Sequence, residues 1–470
     1  MSAPEMFSQL QNISANTTEL TNTIEKLLNA DIPSLVKELE AKYEKALMDT
    51  VKNTPGSNAS NITQSAFNFE NYIRRAYYGS NKSYPTGLPI LYLYGNTTGM
   101  SKSNKVDLEY KYGDLITGYT SGTCTCKWQG NSSINFRKKN YTIAKMSNPI
   151  DVGWGSHNKY VLKSHHNDYS MARNVVSAKL WGEMVKTRTG TDAITRKLKT
   201  LPNGGAIDGF PIMVVINNVF QGVYVLSIPK DDWMFGMGSG DRECVLSCEA
   251  ASPATLMTDS TLTKEQLLAE NPMSYEYISD EDDIDWAVTS YNTMVNALKL
   301  TSGANWEDDV SGYIDIDSFI DSFVFHYITG NDDVVNKNSI TATYDGMKWF
   351  RSVYDLDQTF GGHCIGHVTK YPKSGVTMGG LSNNRVWGLL YTQSKPKLKA
   401  RYNAVRNTVF SEENVFTKFD NFIRQIPRNV RLEDTAIWYD IPGTGIDPVS
   451  QIMEWYRLRL QITDAAMAAM

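Results

Sequence analysis

Two short stretches place carboxylates and amides directly after segments of regular pattern. The first reads Gly330-Asn331-Asp332-Asp333-Val334-Val335-Asn336-Lys337-Asn338, the second Tyr354-Asp355-Leu356-Asp357-Gln358-Thr359-Phe360-Gly361. Asp333 and Asn338 are separated by 338 − 333 = 5 positions, and Asp355 follows Asp333 by 355 − 333 = 22. That order matches a catalytic-loop Asp, a metal-holding Asn and a second metal-holding Asp in phosphoryl transfer. The chemistry needs a carboxylate to accept a hydroxyl proton, hard oxygen ligands for magnesium and a cation near the phosphates. Both stretches could supply the first two. Taken alone, a D-x-x-x-x-N spacing is unspecific, and Asx-turn chemistry is its default explanation.

The elements that must position these residues can be read from periodicity. Phe319, Ile320, Phe323, Val324 and Tyr327 repeat at three and four, which predicts a helix over 317–329 with Asp317 as N-cap, ending at the first stretch. The apolar run Trp349-Phe350-Arg351-Ser352-Val353 leads into the second. Upstream, Leu88–Tyr94, Val161–Lys163, Ile212–Ile216 and Gly222–Leu226 are rich in β-branched and aromatic residues, as strands are. Asn217-Asn218 lies between the last two and predicts a hairpin turn. Met171, Val175 and Ala178 share one face of a helix expected over 169–184. Helical patterns continue over 386–410, 415–426 and 448–470, so the expected plan is α+β in two lobes. A β-rich lobe would span 66–305, with an acidic insert near 237–305 and a solvated face at Asp280–Asp285. A helical lobe would span 306–470.

The N-terminal 1–52 carries a narrow apolar seam at Ile13, Leu20, Ile24 and Leu27, with further apolar positions from Leu10 to Leu47. One copy cannot bury such a stripe, so it reads as an oligomerising helix, with a trimer as the expected assembly. Residues 53–65, including NTPGSNASNIT, read as a flexible linker.

A chain of 470 residues with 41% hydrophobic and 21% charged residues has the composition of a folded protein of two or three units. Its net charge of −5 argues against nucleic acid as a partner. No run approaches the apolar length of a membrane span, and the N-terminus lacks the pattern of a secretory signal, so synthesis in a cytoplasm is expected. Five cysteines do not form a disulfide framework. Cys124 with Cys126 and Cys244 with Cys248 could make a four-thiolate zinc site, but neither pair has knuckle spacing, and free thiols are the simpler reading. His363, Cys364 and His367 read as part of a Gly-rich loop.

Five ordered motifs resemble the CotH kinase family, an atypical kinase-like fold. Trp128-Gln129-Gly130-Asn131-Ser132-Ser133 followed by Lys138-Lys139-Asn140-Tyr141 is similar to its R-G-N-S-S and K-K-S-Y segment. Lys159–Lys163, Asp168 and Ala172-Arg173-Asn174 resemble its next stretch, and Val215–Tyr224 its N-G-x-Y-x-G-x-Y hairpin. Asp333 with Asn338, then Asp355, Asp357 and Phe360-Gly361, complete the order. The resemblance covers 128–361 and excludes residues 1–65.

It implies that Asp333 is the catalytic base and that Asn338 with Asp355, Asp357 or both hold magnesium. Lys139, or else Lys138 or Lys163, would meet the phosphates of ATP, and Asn131, Ser132 and Ser133 would line the phosphate loop. Arg173 would assist there or serve as a structural link. Three positions depart from the family: Gln129 replaces an Arg, Ser227 an acidic residue, and Val353-Tyr354 a Pro-Trp pair. Two functions follow as expectations. One is an ATP- and magnesium-dependent kinase acting on Ser or Thr of a partner protein. The other is an inactive kinase-like fold serving as a structural or host-adhesion module. The layout of helix, linker and head resembles tailed-phage baseplate and fibre proteins, so the expected partners are other copies of the chain and other virion proteins, within a virion assembled in the host cytoplasm.

Overall fold

The computed structural model describes residues 87–114, 117–331, 334, 337–366, 368, 372 and 384–470. The expected N-terminal helix and linker, together with Asp333 and His367, lie outside the described residues. The chain divides into two compact units, the smaller comprising Met1–Gly95, Glu109–Ser121 and Met213–Gly222, the larger the remainder. In order, the strands are β1 Ile90–Tyr94, β2 Val106–Asp114, β3 Gly118–Gln129, β4 Asn140–Ala144, β5 Ile150–Asp151, β6 Ser156–His157, β7 Tyr160–Lys163, β8 Gly209–Ile216, β9 Val219–Ser227, β10 Cys244–Cys248, β11 Met273–Ile278, β12 Ser339–Thr343 and β13 Trp349–Val353.

In the smaller unit, β1 pairs antiparallel with β2 (Ile90 opposite Gly113) and parallel with β8 (Ile90 opposite Met213). Asn217 and Asn218 take φ of 49° and 65°, the left-handed geometry of a two-residue hairpin turn. Asn217 also accepts from the Gly95 N–H at 3.0 Å, tying the turn to the end of β1.

The larger unit holds two sheets. In the first, β3, β4, β7 and β9 lie side by side in that order. The second has the order β11-β10-β12-β13, all antiparallel. Its strands β10, β12 and β13 are buried along their whole length, polar Ser339, Thr341, Thr343 and Arg351 included. This sheet joins Cys244–Cys248, from the segment expected in the β-rich lobe, to Ser339–Thr343, from the segment expected in the helical one.

The Arg173–Lys186 helix is buried except along the face of Lys179, Glu183 and Lys186, with Val175, Val176, Leu180 and Trp181 fully enclosed. The expected helix near 317–329 runs Ile316–Thr329, and its N-cap is Asp315, not Asp317. The Asp315 N–H donates to the Trp349 carbonyl at 2.8 Å while its own carbonyl accepts from Ser318, so tertiary pairing with β13 places the N-cap two residues early. The C-terminal part is helical at Arg385–Gln393, Lys395–Arg406, Glu412–Arg424, Arg428–Ile437 and Pro448–Ala469. The molecule is thus mixed α and β, β-rich first and helical last. Among the described residues no helix is long and apolar enough to cross a membrane. Cys124 and Cys126 belong to β3 and Cys244 and Cys248 to β10; all four are buried thiols outside any disulfide, and burial pushes Cys124 and Cys126 up to about 12 and Cys248 up to about 11.

Candidate active cleft

Antiparallel pairing brings distant segments to one end of the second sheet. Cys248 faces both Met273 and Ser339, and Ser339 faces Val353. Glu249, Asn338 and Tyr354, each one residue beyond its strand, therefore emerge together. The Asn338 N–H donates to the Cys248 carbonyl at 3.0 Å, extending the ladder by one bond. Asn338 and Asp355 both adopt left-handed backbone, with φ of 53° and 54°. Asn and Asp tolerate that region best among residues with a Cβ, yet each still costs of order 1 kcal/mol. Two such residues at one cleft are a mark of a functional site more often than of a plain loop.

The Asp355–Asp357 turn is held from below by the Arg173–Lys186 helix. Asn174 accepts from the Leu356 N–H at 3.0 Å, and Ser177 Oγ lies 2.7 Å from Thr359 Oγ1, which donates to the Leu356 carbonyl at 2.6 Å. Downstream, the Phe360 N–H donates to the Thr329 carbonyl at 2.9 Å and its ring packs against Phe419 and Tyr456. Gly361, at φ 80°, passes so close to Trp455 that a Cβ would lie 2.8 Å from its ring. The second stretch is thereby clamped on both sides.

These residues line a cleft of about 630 Å³ within the larger unit. Asn338, Asp355 and Asp357 form one part of its wall, and the β3–β4 loop with Gly130, Asn131, Ser132 and Ser133 another. Gly130 lies at φ 119°, where a Cβ would meet Ser133 Oγ at 2.0 Å, so glycine lets the serine fold back across the loop. Buried Asn140 ties that loop to β7: it donates to Ser133 Oγ at 3.2 Å and accepts from the Ser164 N–H at 2.7 Å.

Of the lysines that line the cleft, Lys163 and Lys230 flank Tyr354. Lys163 Nζ lies 3.5 Å from the Tyr354 hydroxyl, and Lys230 Nζ sits 4.7 Å from the Tyr354 ring centroid. Burial works against the Lys163 charge, but Tyr354 and the Asp355 carboxylate outweigh it and hold the group above its ordinary value. For Lys230 burial is likewise outweighed, by Tyr354, Glu276 and Glu249, and its pKa is raised. Glu249 is in turn held below its ordinary range, burial being overcome by Lys230.

The cations expected at the phosphates sort differently. Lys138 is fully buried and donates to Asp434 and to the Val223 carbonyl, both at 2.7 Å. Lys139 donates to the Ile134 and Phe136 carbonyls at 2.7 and 2.6 Å, which pins the β3–β4 loop to itself. Neither lines the cleft; of the three lysines named from the sequence only Lys163 does. Arg173 is also outside it, buried and bonded to Asp168 and to Gln451 of the last helix, which is the structural-link role. Sequence reasoning missed Lys230, Glu249, Glu276 and Asn174. Of these only Asn174 stood in a motif, Ala172-Arg173-Asn174, where it was given no role.

These two sheets and their flanking helices bring carboxylates and ammoniums together on one cleft. The family model for CotH kinase protein matches residues 127–463, well over half of the chain, and the chain belongs to that family. Comparison with curated proteins gives no match.

Proposed function

We propose that the cleft binds a magnesium-complexed nucleoside triphosphate and transfers its terminal phosphoryl group to a protein hydroxyl. The observation that carries this reading is the meeting of Asn338, Asp355 and Asp357 with the ammoniums of Lys163 and Lys230 in a single cleft. Its volume is in the range of small-molecule sites. Two carboxylates and a carboxamide are hard oxygen donors of the kind magnesium takes. Among the described residues no cluster of three or more His, Cys, Asp or Glu stands ready as a metal site. The nucleotide's own phosphates would complete the donor set. When bound, the magnesium neutralises charge on the phosphates. Lys163 and Lys230 then bind phosphate oxygens, Asn338 and Asp355 orient the complex, and Asp333 takes the acceptor's proton.

The inactive-module reading draws on Gln129, whose side-chain oxygen is buried without a hydrogen-bond partner where relatives carry a cation. Two ammoniums in the cleft favour the active reading over it. Thermal unfolding with ATP and magnesium decides between them: nucleotide at a hundred times its dissociation constant adds about 2.7 kcal/mol. Absence of any shift, and of labelling of the chain or other proteins by radioactive ATP with magnesium or manganese, would leave the structural-module reading. Assembly through residues 10–47 and a place in a phage particle rest on the sequence pattern and layout, and we propose them on that basis alone.

A further inference from the structure

Glu249 occupies three hydrogen-bond donors at once. Its Oε1 accepts from Lys230 Nζ at 2.5 Å and from Ser247 Oγ at 2.8 Å, and its Oε2 accepts from Asn131 Nδ2 at 2.9 Å. Asn131 is oriented for this by Lys102, whose Nζ donates to the amide oxygen at 2.5 Å. An ammonium, a hydroxyl and an amide N–H converging on one pair of anionic oxygens is the donor set that recognises a phosphate. Here a side chain of the protein fills it. The Glu249 side chain is only 24% exposed, and Asn131, Lys230 and Glu249 all line the proposed nucleotide cleft.

Lys230 has a second carboxylate partner, Glu276, at 2.8 Å, and Ser274 Oγ donates to that same Glu276 oxygen at 2.8 Å. The two acids differ in what they bridge. Glu276 joins Lys230 to its own strand β11, whereas Glu249 joins Lys230 across the cleft to the exposed β3–β4 loop. If Glu249 swings out, Lys230 remains charged and anchored by Glu276, and Asn131 and Ser247 are left with donors aimed at the vacated place.

We infer that Lys230, Ser247 and Asn131 form an anion subsite for a nucleotide phosphate, and that Glu249 is a built-in competitor which the phosphate displaces. The inference rests on the nucleotide reading for the identity of the ligand. It makes Lys230 a phosphate-binding residue and Glu249 a residue that sets affinity, since every binding event must break three bonds to Glu249 before making their replacements. It also couples the loop to ligand: Asn131 is held by Glu249 in the empty cleft and by phosphate in the filled one.

Calorimetric titration of the full chain with magnesium-ATP, and separately with pyrophosphate, tests this in Glu249→Gln, Glu276→Gln and Lys230→Met variants, each first checked for native melting. Glu249→Gln should bind both probes about tenfold more tightly, because one charge-assisted competitor is lost. Glu276→Gln should change affinity far less, and Lys230→Met should weaken it about tenfold or more. Equal gains in the two glutamate variants would show general relief of negative charge and overturn the subsite. So would unchanged affinity in Glu249→Gln beside a wild type that binds ATP, an outcome that leaves the nucleotide reading intact. If neither protein binds ATP but Glu249→Gln gains affinity for pyrophosphate, the subsite stands and the nucleotide reading falls. If neither binds either probe, both are overturned. Should Glu249→Gln not fold, Ser247→Ala, which removes one donor, must weaken pyrophosphate binding.

Discussion

Asn174 Oδ1 accepts a hydrogen bond from the backbone N–H of Leu356 at 3.0 Å, across 182 positions of sequence. The bond ties the first turn of a buried helix to the middle of the Asp355-Leu356-Asp357 turn. It is made by a side chain 2% exposed, so water cannot replace it. Replacing Asn174 by Ala leaves the Leu356 N–H unsatisfied and should cost about 1–3 kcal/mol in urea unfolding. Magnesium affinity should fall with it, because Asp355 loses its support; Asn174→Asp, which keeps the acceptor, should recover more of the metal binding than of the stability.

If the proposed function holds, Asp333 and Asp355 should separate by readout. Asp333→Asn keeps the side-chain shape and removes the proton acceptor, so nucleotide binding should survive while phosphoryl transfer falls by two orders of magnitude or more, in line with the usual worth of a general base of about 10²–10⁴. Asp355→Asn replaces a charged ligand by a neutral amide and should weaken magnesium binding first. Titration of the metal against transfer rate distinguishes the two; identical profiles would remove the distinct roles.

Lys138 and Asp434 form an ion pair with side chains 0% and 3% exposed, 2.7 Å apart. Burial depresses the lysine while Asp434 works to hold it charged. Lys138→Met strands a buried carboxylate that otherwise receives the Lys138 ammonium and the Val223 N–H, and should destabilise by about 3–5 kcal/mol. A double change, Lys138→Met with Asp434→Leu, should cost much less than the sum of the two singles. Additive losses in chemical denaturation would mean that the pair is not coupled.

His165 should contribute a loss of stability on mild acidification. Burial, assisted by the nearby Lys163 and Lys138 charges and opposed by Asp168, lowers the His165 imidazole from 6.5 to about 4. The folded state thus resists a proton that the unfolded chain accepts near 6.5. Its contribution is fully present above that pH and is lost as pH falls from about 6.5 towards 4. Asp315, pushed up to about 6 by burial, acts oppositely: the folded state holds its proton longer, and its contribution is lost as pH rises from 3.8 to 6. The His165 share is isolated by comparing wild type with His165→Gln at pH 4 to 7, where the variant should lose part of the acid slope. Parallel curves would remove the assignment.

Replacing Leu20 and Leu27 by Asp should release folded monomers if the apolar seam of the N-terminal segment assembles the chain. Sedimentation velocity reads this directly. An assembly of unchanged mass in the double variant would transfer the interface elsewhere.

Much of the architecture was legible from periodicity because burial acts on each element separately. The strand pattern at Leu88–Tyr94, the Asn217-Asn218 turn and the helix through Phe323 each carry their own local signal, and the ordered motifs from Gly130 to Gly361 pointed to the family. Asn338, Asp355 and Asp357 could be named because their spacing agrees with the motif order of the family they resemble. What the sequence could not convey is which ammonium reaches them. Lys138 and Lys139 sit in the motif, yet their neighbours in space are Asp434 and two loop carbonyls. Lys230 and Glu249 carry no motif and face the cleft only because β9 and β10 end beside it. A lysine's role depends on the charges within a few ångströms of its ammonium, and those come from segments up to 296 positions away, as between Lys138 and Asp434. Sequence periodicity reports which face of an element is buried; only the pairing of β10 with β12, and of β12 with β13, decided what each buried or exposed group would meet.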